Sequence, residues 1–140
     1  MPDINHEIKI NASQERIYQA LTSVSDLTNW HTAKIDGGAA VGNVFRIHPQ
    51  NGPEFEWKVT KTDSGRRIEW KCMKGPGNSV GTTVRFDLSP ADKGRTYLEF
   101  LHSDWPSTGG SFRKCNTLWG ILLYHLQKYV ETQKSDPAFN

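Results

Sequence analysis

The chain has 140 residues, with 17 basic and 15 acidic side chains and a formal net charge of +2. That length is one domain's worth, and so small a basic surplus excludes a nucleic-acid binder that works by charge alone. Aromatic side chains make up 11% of the chain and fall between regular turn signals, which excludes a disordered polymer.

Ile4, His6, Ile8 and Ile10 alternate with Asn5, Glu7, Lys9 and Asn11, the period of a half-buried strand. Ser13 is suited to cap a short helix, with Glu15 in its first turn and Ile17, Tyr18, Ala20 and Leu21 as its apolar stripe. A second short helix is predicted over 24–30, ending at Trp30. From about residue 34 to 102 strand follows strand. A weak one covers 34–36, and another runs over 42–48 to Pro49. The next alternates on Phe55, Trp57 and Val59. After the turn Asp63-Ser64-Gly65, the strand 66–73 sets Ile68, Trp70 and Cys72 on one face. Val80, Thr82, Val84, Phe86 and Leu88 line a further strand, and Leu98, Phe100 and His102 face inward in the last. Short strands at this spacing make an antiparallel meander.

Residues 104–110 read as a loop, and Gly109-Gly110 would let the 105–111 segment open as a gate. A long helix is predicted over 112–134, with Cys115, Trp119, Leu122, Leu126 and Tyr129 at helical spacing. Gly120 inside it costs about 1 kcal/mol relative to Ala, which suggests close approach of another backbone. The tail 135–140 is polar and contains Pro137, so it is expected to fray.

The longest strongly apolar run, 118–126, falls well short of the ~20 residues a bilayer requires. The opening Met1-Pro2-Asp3-Ile4-Asn5-His6 has no basic start and no apolar core, so no secretory signal and no membrane insertion are expected. Cys72 and Cys115 are too few for a disulfide framework, and free thiols imply a reducing, cytoplasmic setting. The scattered histidines and cysteines have no metal-binding spacing, and no Gly-rich phosphate loop joins a strand to a helix. Neither a metal nor a cofactor is expected.

An antiparallel sheet has one face to bury, and a single long amphipathic helix is the cover at hand. A strongly curved sheet around one helix leaves space, and that space becomes a mostly apolar pocket. Trp57, Trp70, Phe86 and Phe100 are candidates for its sheet wall. Trp119, Leu122 and Leu126 are candidates for its helix wall, and Trp30 is counted with them. Each of these residues would serve equally well as plain core. His102 and His125 are the polar candidates. If both point inward, they could hydrogen-bond a guest or work as acid and base. Cys115 near the start of the long helix could have a slightly lowered pKa. Arg113-Lys114 could meet an acidic ligand group at the pocket mouth, or could meet only solvent.

The order of these elements resembles the helix-grip fold of the START-like, or SRPBCC, superfamily, and more narrowly its heat-shock-protein-90 ATPase activator-like branch. The matching segments are 10–22 (Ile10-Asn11-Ala12-Ser13 onward), Leu27-Thr28-Asn29-Trp30, Val41-Gly42-Asn43-Val44-Phe45, Gly81-Thr82-Thr83-Val84, and 119–131 with its closing Leu126-Gln127-Lys128-Tyr129-Val130-Glu131. The resemblance implies one α+β domain over 1–140. A curved antiparallel sheet of six or seven strands would wrap around the C-terminal helix, with two short helices after the first strand. The branch often has two tryptophans where this chain has Trp30-His31. The eukaryotic co-chaperones carry an additional N-terminal domain that 140 residues cannot hold, so chaperone activation is not carried over.

The function expected is binding of a small hydrophobic or amphipathic molecule between sheet and helix, without catalysis. One rival is a polyketide cyclase or dehydratase-like enzyme with His102 or His125 as base. Another is a chaperone-associated interaction module with Tyr97 and Leu101 on an exposed face. A homodimer is an option in either case.

Overall fold

The computed structural model describes residues 2–140. In chain order it contains β1 (Ile4–Ile10), α1 (Gln14–Thr22), α2 (Val24–Trp30), β2 (Ile35–Gly37), β3 (Val44–Ile47), β4 (Phe55–Asp63), β5 (Arg67–Lys74), β6 (Thr83–Pro90), β7 (Thr96–Ser103) and α3 (Phe112–Thr132). The seven strands form one sheet in the order β1-β7-β6-β5-β4-β3-β2. All neighbours are antiparallel. β2 to β7 are a simple meander, and the chain's first strand closes the far edge beside its last. This is the helix-grip arrangement that the sequence led us to expect.

Local chemistry sets the element ends. Ser13 Oγ accepts the Arg16 N–H at 3.1 Å, capping α1, and Ser23 Oγ accepts the Asp26 N–H to cap α2. Such caps satisfy backbone donors that a helix start leaves free. α1 buries Ile17, Ala20 and Leu21, and α2 buries Leu27 and Trp30. The Trp30 indole donates to the Ala20 carbonyl at 3.0 Å, joining the two short helices.

The strands alternate as their residues dictate. Leu98, Phe100 and His102 are buried in β7, while Tyr97, Glu99 and Leu101 look outward. β4 shifts register against β5 twice, at Glu56/Trp57 and Val59/Lys61. Irregularities of this kind bend a strand and increase its twist, which helps the sheet curve about α3. The helix meets the sheet through Trp119, whose ring centroid lies 4.3 Å from Phe100 and 5.9 Å from Phe86. Cys115, Leu122, Leu123, Leu126, Tyr129 and Val130 complete its buried stripe.

Three expectations are corrected. The tail does not fray. The amides of Asp136, Ala138 and Phe139 donate to the carbonyls of Asn29, Trp30 and His31, and Ala33 N–H donates back to Phe139. The end of α2 leaves carbonyls without helical partners, and the tail supplies them. Val80 is not on a strand face. It stands exposed before β6, because Gly81, at φ +90°, turns the chain there. Gly120 has no backbone pressed against it. A Cβ there would meet only the His6 ring, at 4.0 Å.

Candidate ligand cavity

Side-chain packing divides the sheet–helix interface into a filled end and an open end. At the filled end, successive rings touch from Phe45 to Trp70 (4.9 Å), Trp70 to Phe86 (4.9 Å), Phe86 to Phe100 (5.3 Å) and Phe100 to Trp119 (4.3 Å). At the open end lies a cavity of about 230 Å³. Its buried walls are Ile47 of β3, Trp57 of β4, His102 of β7 and Cys115, Trp119 and Leu122 of α3, with His31 and Thr32 just after α2. Phe139 of the docked tail closes one side, and Phe55 and Leu118 are half-buried at the margin. The exposed rim is Asn51, Gly52 and Pro53 from the β3–β4 loop and Lys114 from the first turn of α3.

His102 is held in a defined tautomer. The Trp119 indole N–H donates to its Nδ1 at 3.2 Å, so Nε2 carries the proton and donates to Thr82 Oγ1 at 2.8 Å. Thr82 then donates to the Ser79 carbonyl at 2.6 Å. Burial pushes the imidazole pKa down from 6.5 to about 3, since a charged ring would lose its hydration. Burial also lowers His31 from 6.5 to about 3, against a smaller opposing backbone hydrogen bond. Its Nδ1 faces Thr32 Oγ1 at 2.9 Å. Its Nε2 is buried with no hydrogen-bond partner among the described residues.

The start of α3 does not activate Cys115. Burial raises its thiol to about 11, Cys72 adds to the rise, and Lys114 opposes it. Cys115 is therefore a neutral wall group at physiological pH.

Of the residues singled out from the sequence, Trp57, His102, Trp119 and Leu122 meet around the cavity. Trp70, Phe86 and Phe100 belong to the filled end, and Trp30 and Leu126 are fully buried away from the cavity. His125 does not point inward with His102. Its Nδ1–H donates to the Asp136 carbonyl at 2.7 Å, against the tail. Lys114, read as a residue that could stand at the mouth or merely in solvent, does line the rim. Sequence reasoning marked His31 only as a departure from the family's paired tryptophans, and it missed Thr32, the 49–53 loop and Phe139. The only signal for Phe139 was an aromatic residue at the end of an otherwise polar tail. Trp105 was also missed. It is fully buried between His102 (4.7 Å) and Phe112 (5.5 Å), which anchors the start of the segment that Gly109-Gly110 would permit to open.

Among the described residues no cluster of three His, Cys, Asp or Glu groups could hold a metal ion. No helix there is long and apolar enough to cross a membrane.

The family model described as activator of Hsp90 ATPase homolog 1-like protein matches residues 11–131. The chain belongs to this family. A solved Aha1 dimer from Colwellia psychrerythraea is similar at 34% identity and a TM-score of 0.85, over 94% of this chain and 98% of that one. MLL2253 from Mesorhizobium loti, at 20% identity and a TM-score of 0.79, shares the fold over 93% of this chain and 97% of its own. DynU16, a protein of the dynemicin biosynthetic locus, shares the fold at 18% identity and a TM-score of 0.77. It covers 99% of this chain, which spans 49% of DynU16. A comparison with curated proteins gives no match. Members of this activator-like family share the helix-grip fold, which commonly hosts ligand binding or cyclase-like chemistry.

Proposed function

We propose that the chain binds a small hydrophobic or amphipathic molecule in the cavity between the sheet and α3. The observation that carries this reading is the unfilled space of about 230 Å³ beside a densely packed aromatic core. An apolar cavity of about 150 Å³ holds benzene, which scales here to a guest on the order of ten non-hydrogen atoms. Most of the wall is apolar, and the few polar groups are fixed, as in small-molecule sites generally. His31 adds support. Its unpartnered Nε2 costs about 1–3 kcal/mol, a penalty that a polar group on a guest would offset.

Catalysis is the second reading and is less well supported. A cyclase-like mechanism needs titratable groups free to exchange protons with one guest. Both nitrogens of His102 are already engaged, and His125 bonds the tail. An interaction module is also less favoured, because Tyr97 and Leu101 are only half-exposed and Lys9 Nζ lies 5.2 Å over the Tyr97 ring. Self-association is a separate proposal. The Colwellia relative is a dimer, and Ile121 and Tyr124 are 41% and 58% exposed one turn apart on α3. The two buried free thiols fit a cytoplasmic setting.

The test is an NMR titration of the whole chain with 3-phenylpropanamide, a neutral probe of suitable size. Saturable shifts at the Trp57 and Trp119 indoles are expected. An unchanged spectrum up to millimolar probe would refute the reading.

A further inference from the structure

We infer that the guest is an amphipathic carboxylic acid, bound with its apolar end inward and its carboxylate at the mouth against Lys114. This inference rests on the cavity being a binding site. Three observations support it beyond that.

The first is the charge of the lining. Among the described residues around the cavity there is one permanent cation, Lys114, and no Asp or Glu. His31 and His102 sit deeper and are neutral by burial. A carboxylate placed deep inside would lose its water and gain no counter-charge, a large cost. The same group at the rim keeps part of its hydration and meets an ammonium.

The second is that Lys114 has no ion-pair partner among the described residues, and the acidic groups of β2 and the β3–β4 loop are already paired. Glu54, at the end of the rim loop, is held by His48 at 2.6 Å and Lys74 at 3.2 Å. Asp36 is held by the other face of His48 at 2.6 Å and by Arg46 at 3.1 Å. These carboxylates are engaged by other groups, and Lys114 is left without a counter-charge among the described residues.

The third is the helix beneath it. α3 has 21 residues, no acidic residue in its first turn and no side-chain cap at Ser111. Its exposed N–H groups and aligned peptide dipoles add positive potential at the turn that carries Lys114. A lysine there is unfavourable for the helix alone, and an anion at the mouth reverses that sign.

The experiment compares 3-phenylpropanoate with 3-phenylpropanamide, which differ in charge but hardly in shape. The whole chain and a Lys114→Met variant are titrated by NMR at pH 7.5. The acid is expected to bind about fivefold tighter than the amide at low salt, as a partly exposed ion pair allows. That preference should shrink toward parity in 1 M NaCl and in the Met variant, while amide affinity stays within about twofold. Equal affinities in the native chain, or a preference that survives Lys114→Met, overturn the inference and leave the cavity reading standing. If neither probe binds, the cavity reading fails and takes the inference with it.

Discussion

Lowering the pH from 7 to 5 should destabilise this protein through two buried imidazoles. His31 and His102 each have a folded pKa of about 3 against an ordinary value of 6.5. Between those values the unfolded chain binds protons that the folded chain refuses, so stability falls as pH falls. The stabilisation from keeping both rings neutral is complete above pH 6.5 and is lost progressively toward pH 3. At pH 5 the unfolded form of each ring has gained about 1.5 pH units of protonation free energy, or ~2 kcal/mol. The two together are worth ~4 kcal/mol, a large share of a typical domain's stability.

Urea unfolding at a series of pH values measures the loss, and His31→Phe divides it. The variant should lose ~2 kcal/mol less than the native chain between pH 7 and 5, whatever its stability at pH 7. The subtraction cancels the other titrating groups. His48 acts in the opposite sense. Hydrogen bonds to Glu54 and Asp36 raise its pKa, so its stabilisation is full below 6.5 and fades as pH rises through its folded value. The lowered carboxyls of Asp36, Glu54 and Asp92 keep their contribution above their ordinary values and lose it only below the interval from pH 7 to 5. Identical pH profiles for the native chain and His31→Phe would refute the reasoning.

Two further outcomes test the tail and the helix end. Phe139→Ala removes a half-buried ring that closes the cavity wall, and should cost about 2 kcal/mol in urea unfolding while weakening 3-phenylpropanamide binding. Unchanged values for both would mean that the tail is not docked in solution. Gln133 holds the left-handed position after α3, at φ 60°. Gln133→Gly should therefore raise stability by about 0.5–1 kcal/mol, and a loss would show that the Gln side chain does more there than the backbone geometry implies.

Much of the scaffold was legible in the residues alone. Ile4 to Ile10, Leu98 to His102 and the stripe from Cys115 to Tyr129 each carry a period, and a period of two or 3.6 is a record of which side is buried. Ser13 was readable as a helix start because its hydroxyl can accept a free backbone N–H there, with Glu15 and an apolar stripe following it. The need to bury one sheet face pointed to the long helix as its cover, and resemblance to a known family gave that arrangement its specific form.

The cavity was decided by tertiary packing. Trp57 and Trp70 occupy equivalent inward positions on neighbouring strands, yet one borders space and the other is sealed between Phe45 and Phe86. Their patterns are identical, because a void is a difference between summed side-chain volumes and available space, and no local pattern records that difference. His102 and His125 separated for the same reason: one met Trp119 and Thr82, the other the returning tail. That return depended on carbonyls left open at the end of α2, about a hundred residues earlier in the chain. Periodicity reports the direction of each side chain, and only the assembled fold reports what stands opposite it.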